Sequence, residues 1–356
     1  KKKRQRMSDR IKIIVLFSAL VFAISLVGQR PSAIRIGTKV PADVKRIYER
    51  GLNYLAQNQD ETGSWGGQRS SSHQNGIISL CLLALVASGE DPNYGRYQAQ
   101  VGRATRLLLM AQDVDTGYFG SSMYNHGFSM LALAELYGAV DDDLLWSKTP
   151  KEKRGHSIGK ALELAVRCAL TSQDQNPYGA WRYSPEAKDA DTSAAGAVLV
   201  GLLAAKNAGI EVPDKNIERA FDYFTGMTTK TGYVNYSGPS MFGDSIARSS
   251  VTTLILSIGK RKDSKEYEQA AKYLRDNLNS PISGSWKLYT PYYMAQALFQ
   301  SNYDAWKKWN DTKVALVKGK QNDDGSFDGT YGKAYGTSMS LLALALNYRF
   351  LPIYER

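Results

Sequence analysis

The chain has 356 residues, 43% hydrophobic and 22% charged, a globular composition with enough apolar mass for one large domain or two small ones. Two cysteines and three histidines exclude a disulfide framework and leave too few ligands for an all-cysteine or multi-histidine metal centre. The net charge of +11 is concentrated at one end: residues 1–12 hold seven basic residues and one acid, so only +5 is left for the rest of the chain, with no basic stripe to suit a nucleic acid.

The basic segment 1–12 is followed by an uncharged, mostly apolar run over 13–28. A polybasic flank before a short apolar core is the pattern of an export signal, either a retained signal-anchor or a cleaved signal peptide. Either way the expectation is an envelope protein whose bulk is exported, held at the membrane if the segment is retained. Residues 29–41, with Pro31, Gly37 and Pro41, read as a linker.

From residue 42 onward the sequence repeats itself. Each unit has an amphipathic helix, a turn carrying glycine and an aromatic residue, and then a strongly apolar helix. The turns are Gln59-DETGS-Trp65, Gln112-DVDTGY-Phe119, Gln173-DQNPYGA-Trp181, Thr231-GY-Val234, Ser283-GS-Trp286 and Gln321-NDDGS-Phe327. The amphipathic helices fall near 42–58, 98–111, 158–172, 214–227, 264–278 and 305–320. The helices after the turns are apolar nearly all round, over 77–87, 127–136, 194–205 and 338–347, with weaker copies over 245–258 and 290–300. A helix without a polar face must be enclosed by others. Six hairpins of one half-exposed and one enclosed helix predict an all-α fold, a closed double ring with the apolar helices inside. Glycine allows the tight reversal, and the aromatic ring packs between hairpins.

The Gln-x3-Gly-x-Trp/Phe spacing at 59–65 and 321–327 resembles the QW-type repeats of squalene–hopene cyclases and their protein-prenyltransferase relatives. Tyr124-NHGFSMLALAELYG, Trp181-RYSPEAKDADTSAAG and Leu341-LALALNYRFLPIY are similar to a bacterial branch, the prenyltransferase/squalene-oxidase-repeat proteins. The resemblance covers residues 42–356. It implies a single (α/α)6 toroid, an apolar central cavity that holds an isoprenoid or other apolar molecule, and no cofactor.

In cyclases of this kind a buried, protonated aspartate in an Asp-x-Asp-Asp-Thr-Ala setting protonates an alkene. Here Asp189-Ala-Asp191-Thr-Ser-Ala keeps Asp-x-Asp and lacks the third aspartate; aligned on the threonine instead, Asp191 takes that third place. Asp189 and Asp191 are therefore the candidate acids, and such an acid needs surroundings that favour its neutral form. Asp191 also stands just before an apolar helix, where a carboxylate caps free N–H groups. Zinc-dependent prenyl transfer is disfavoured, because no cysteine accompanies Asp189-Ala-Asp191 and Cys81 lies inside an apolar run.

His73 and His126 both precede apolar helices and would face one mouth of the ring, as pocket residues or as turn struts. Tyr124, Trp181, Tyr183, Tyr236, Tyr292 and Tyr335 cluster at the junctions between turns and apolar helices, suited to stabilising a cation, stacking on a sugar, or simply filling gaps. A lining rich in tyrosine suits a more polar ligand than one built of Phe and Trp. Arg182, Asp244 and Arg248 lie at one level of their units; Asp244 and Arg248, four apart, pair on a helix face or anchor a ligand head group. Three functions follow: an isoprenoid-processing enzyme, a non-catalytic envelope binding or scaffold protein, and a carbohydrate-active toroid, which would need a pair of carboxylates across an open cleft.

Overall fold

The structure is a computed structural model that describes residues 40–66, 73–238, 245–282 and 287–354. The basic segment, the 13–28 export segment, the linker up to residue 39, the 283–286 turn and Asp244 lie outside the described residues. Among the described residues no helix is long and apolar enough to cross a membrane.

Among the described residues six outer helices alternate with six inner ones. The outer set is α1 (Ala42–Gln57), α3 (Gln98–Met110), α6 (Ile158–Gln175), α8 (Asp214–Met227), α10 (Lys265–Asp276) and α12 (Tyr303–Lys318). The inner set is α2 (Gln74–Val86), α4 (Met123–Leu136), α7 (Thr192–Asn207), α9 (Ile246–Ile258), α11 (Tyr289–Ser301) and α13 (Lys333–Leu342). A short helix not expected from the pattern, α5 (Asp142–Trp146), lies between the second and third hairpins, its N-terminus capped by Asp141. The last inner helix starts five residues before the apolar run 338–347 and ends inside it, giving way to a 3-10 turn over Ala345–Asn347. There Asn347 leaves the helix to exchange two amide hydrogen bonds with Asn310 of α12, at 3.1 and 3.0 Å.

Each inner helix packs on the next, α2 on α4, α4 on α7, α7 on α9, α9 on α11, α11 on α13, and α13 back on α2, which closes the ring. The outer ring closes where α12 meets α1. The fold is an α/α toroid; among the described residues the only β feature is one isolated bridge, Thr228 to Val234. The inner helices α2, α4 and α7 are buried on nearly every side because they are apolar on nearly every side. Small residues let them approach closely: a Cβ on Gly201 of α7 would lie 2.8 Å from the carbonyl of Gly127 in α4.

The glutamine that opens four of the turns explains how hairpins are held in sequence around the ring. Gln59 Nε2 donates to the Gly63 carbonyl of its own turn at 3.1 Å and to Gln100 O in the next outer helix at 2.9 Å. Gln112 repeats this with Gly117 O and Ala161 O at 3.0 and 2.8 Å, and Gln173 with Gly179 O and Asn216 O at 2.7 and 2.8 Å. Gln321 closes the circle, donating to Gly325 O and to Ile47 O of α1, both at 2.9 Å. The turn glycine follows from the same contact. Gly63, at φ +101°, presses on the next outer helix so closely that a Cβ would lie 2.5 Å from the Arg103 carbonyl, and Gly117, at φ +76°, abuts Leu164 in the same way. The turn aromatics lock the other end: Trp65 and Trp181 donate their indole N–H to Leu55 O and Ala169 O of their own outer helices, at 2.7 and 2.9 Å.

The Gln173→Ala variant should lose about 3 kcal/mol of stability, because the buried Gly179 and Asn216 carbonyls lose a side-chain donor and the Asn216 amide keeps only its longer contact to Asp174 Oδ1 at 3.4 Å. Lys160→Ala, which removes only an exposed ion pair, should change stability by less than about 0.5 kcal/mol. Urea denaturation of the two variants against the parent checks both.

Candidate functional site

Because every inner helix follows a turn, all six begin at the same end of the ring. Three seams stitch those beginnings to the next hairpin: the Asn75 amide donates to Phe119 O, Met123 N to Tyr183 O at 2.8 Å, and Thr192 N to Tyr236 O at 3.0 Å. The residues that the sequence places at the turn-to-helix junctions therefore meet around one mouth, together with the positive ends of the inner helix dipoles.

Asp191 is the centre of this mouth. It is the N-cap of α7, and its Oδ1 accepts from Ser193 N at 2.9 Å and Ala194 N at 2.8 Å, so the capping role is real. Its Oδ2 is buried and, among the described residues, accepts no hydrogen bond; Arg182 Nε lies 3.9 Å from it. The side chain is 0% exposed. Burial dominates and pushes the carboxyl up to about 6, against the two backbone donors and the Arg182 guanidinium, which pull it down. A carboxyl in this range holds and releases a proton near neutral pH.

Arg182 bridges the two aspartates of the motif. Its Nη1 meets Asp189 Oδ2 at 2.9 Å and donates to Ser237 Oγ at 3.3 Å, while its guanidinium lies 5.3 Å from the ring centre of Tyr183 and 5.6 Å from that of Tyr236. Asp189 is the open partner, its side chain 61% exposed. The hydroxyls of Tyr183 and Tyr236 bond to each other. Tyr124 stacks on Tyr183 at 6.1 Å between ring centres and meets Tyr289 edge-on at 6.3 Å, and Tyr289 continues to Tyr293 at 4.7 Å. Burial first, and the Asp191 charge after it, raise the phenols of Tyr124 and Tyr223, so they remain protonated donors. Tyr223 was not singled out by sequence: it sits on outer helix α8, where the repeat pattern assigns it no role. A surface cleft of about 450 Å³ shares Asp189, Tyr223 and Ser237 with this cluster and adds Tyr178 and Asp222.

Other candidates go elsewhere. His126 is fully buried; its Nε2 bonds Ala165 O at 2.9 Å and its Nδ1 accepts from Phe119 N at 3.3 Å. Both nitrogens are committed to backbone and burial holds the ring neutral, with its pKa lowered to about 4, so His126 is a strut and not a pocket residue. Trp181 is likewise buried behind the site. Arg248 turns inward to Val234 O and the Tyr233 hydroxyl, at 2.8 and 3.0 Å, which makes it an internal anchor of the fourth turn. Tyr292 packs against Tyr293 and Phe128 in the core. Tyr335 and His73 both meet Tyr331 edge-on, at 5.1 and 4.5 Å between ring centres, on the α2–α13 side of the mouth. Among the described residues no group of histidines, cysteines and acids is placed to hold a metal ion.

Residues 44–328 match a family described as "Domain of unknown function (DUF6288)". The chain belongs to that family. No curated protein sequence matches it. Solved structures similar in fold include a variant of the type II terpene cyclase MstE from Scytonema in complex with geranylgeranyl dihydroxybenzoate, 14% identical, covering 87% of this chain and 98% of that one at a TM-score of 0.60. An inactive variant of an α-1,6-mannanase from a Salegentibacter species, in complex with α-1,6-mannotriose, is 8% identical and covers 86% and 99% at a TM-score of 0.59. A protein from Actinoplanes is 13% identical, covering 86% and 99% at 0.53. At these identities the likeness is one of fold, an α/α toroid that the cyclase and the mannanase share.

A carboxyl whose folded pKa is raised is stabilising while protonated and costs stability once it ionises. From about pH 4 to pH 6 the folded chain binds the extra proton, so this group removes about 3 kcal/mol of stability over that window and nothing further above it. Asp191→Asn keeps the cap oxygen and has no charge to bury. It should melt at a higher temperature than the parent at pH 7.5 and at nearly the same temperature at pH 4, as followed by circular dichroism.

Proposed function

We propose that the mouth of the toroid binds an isoprenoid-bearing small molecule and that Asp191 acts on it as a metal-independent general acid. The observation that carries this reading is the division of labour within one carboxyl group: Oδ1 is held rigid by two backbone donors, while Oδ2 is buried, without a hydrogen bond, and raised to about 6. In the step proposed, the proton on Asp191 forms a C–H bond with one carbon of a substrate C=C, and the neighbouring carbon takes the positive charge. The carboxylate left behind is stabilised by Arg182 and the two N–H donors already in place. The phenol faces of Tyr124, Tyr183 and Tyr289 line the path of that charge. Loss of a proton to water or back to Asp191 restores neutrality. The fold's likeness to a cyclase that takes a geranylgeranyl substrate supports the substrate class.

A second reading rests on Asp189. Its exposed carboxylate and the buried Asp191 flank one guanidinium beside an open cleft, and the mannanase shares the fold, so cleavage of a glycosidic bond by a carboxyl pair is the competing chemistry. Envelope localisation, with the body exported, belongs to the same proposal and rests on the 1–28 pattern alone.

The test is incubation of the full chain with geranylgeranyl dihydroxybenzoate and, separately, with α-1,6-mannotriose, with products followed by mass spectrometry. Conversion of the former, lowered about 10²- to 10⁴-fold in Asp191→Asn and retained in Asp189→Asn, is the expected result. The rate should fall about tenfold per pH unit above pH 6, as the protonated acid is depleted. Cleavage of mannotriose that disappears in Asp189→Asn transfers the assignment to the carbohydrate reading. Turnover of neither, with no ligand recovered from the purified chain, leaves a binding or scaffold protein.

A further inference from the structure

The wall between the fifth and sixth hairpins holds a cleft of about 570 Å³ that shares no residue with the Asp191 cluster. Its floor is apolar and buried: Pro291 of α11, Val317 of α12, Phe327 of the last turn, and Met339 and Ala343 at the end of α13. Its rim is cationic, with Lys287 just before α11, Lys313 on α12 and Lys320 just after it. Among the described residues none of these lysines has a carboxylate partner. The one acid on the lining, Asp328, lies 3.5 Å from the Asn322 side-chain amide.

Lys313 is the unusual member. It is half-buried, and burial first, then the repulsion of Lys320, lowers its ammonium to about 8. Other lysines nearby do find carboxylates, as at Lys318–Asp43 and Lys333–Asp324. A partly buried ammonium that repels a second ammonium, over an apolar floor, is an electrostatic debt with no internal counterion. Both halves of the site are answered by one kind of molecule. The volume also falls within the range of small-ligand sites.

We propose that this cleft binds a single-chain amphiphile with an anionic phosphate or carboxylate head, the chain lying on Phe327, Val317 and Met339 and the head held by Lys313 and Lys320. Lys287 adds attraction from the α11 side; Asp328 opposes it from the turn; α13 presents no charge to the cleft. The site stands independently of the acid chemistry at Asp191, and Asp191→Asn should bind the amphiphile as the parent does.

The test is isothermal titration of the full chain with dodecyl phosphate below its micelle-forming concentration, against dodecanol and inorganic phosphate. Dodecyl phosphate should bind at least tenfold more tightly than either control, and Lys313→Met should weaken it roughly tenfold or more, the loss of a charge-assisted contact. Lys320→Met, at an exposed position that does not threaten folding, should weaken it several-fold. Because the anion favours charged Lys313, binding at pH 8 should draw in part of a proton, seen as a buffer-dependent heat in the parent and absent from Lys313→Met. Dodecanol binding as tightly as dodecyl phosphate, or unchanged binding in both lysine variants, overturns the proposal. Sedimentation with phosphatidylglycerol vesicles separates the sources of such a ligand. A deficit in the variant lacking both lysines assigns the head group to a membrane lipid, and equal sedimentation beside intact dodecyl phosphate binding assigns it to a soluble amphiphile.

Discussion

The structure depends on one repeated contact: a glutamine side chain that spans from the glycine carbonyl of its own turn to a backbone carbonyl early in the next outer helix. Each of the four copies joins hairpin to hairpin rather than helix to helix, so the modules they link cannot slide past one another without breaking these hydrogen bonds. The contact from Gln321 to Ile47 makes the series circular. An apolar helix has no preferred direction in which to hide; six of them are enclosed only because this outer belt is closed around them.

The belt also sets the chemistry. With hairpins in register, the six inner helices start together, and whatever the sequence places after each turn is delivered to one mouth. Asp191 is held there by the demand for a helix cap, a structural need that fixes one oxygen and leaves the other in a dry environment. The cost of keeping that second oxygen charged is borne by the folded state, which is why removing the charge should stabilise the protein. Capping and the raised carboxyl belong together in this residue: the cap fixes one oxygen and leaves the other in the dry surroundings that favour its protonated form.

Departures from the repeat carry information too. The fourth turn has Thr228 where four of the turns have glutamine; its hydroxyl bonds back to Phe224 O at 2.9 Å, and the turn is held instead by the inward-turned Arg248 and by Ser245, whose hydroxyl both accepts from Val234 N at 2.7 Å and donates to Val234 O at 3.1 Å. The lysine-rimmed cleft likewise sits where the fifth and sixth hairpins meet, at the module whose turn lacks both the glutamine and its clamp in sequence. Regular modules build the ring, and irregular ones leave room in it.

The sequence by itself determined the all-helical class, the six alternating pairs and the end of the ring at which Tyr124, Tyr183, Tyr236 and Asp191 would gather. All of these follow from periodicity and from where glycine permits a turn. It could not tell which of the gathered side chains face a ligand and which are struts, because that depends on partners far along the chain. His126 is consumed by Ala165, Trp181 by Ala169 and Arg248 by Val234, while Tyr223 reaches the site from an outer helix that the pattern gives to solvent. Only the tertiary structure decided that Asp191 keeps one oxygen free, since desolvation is a property of everything packed around a group and not of its neighbours in sequence.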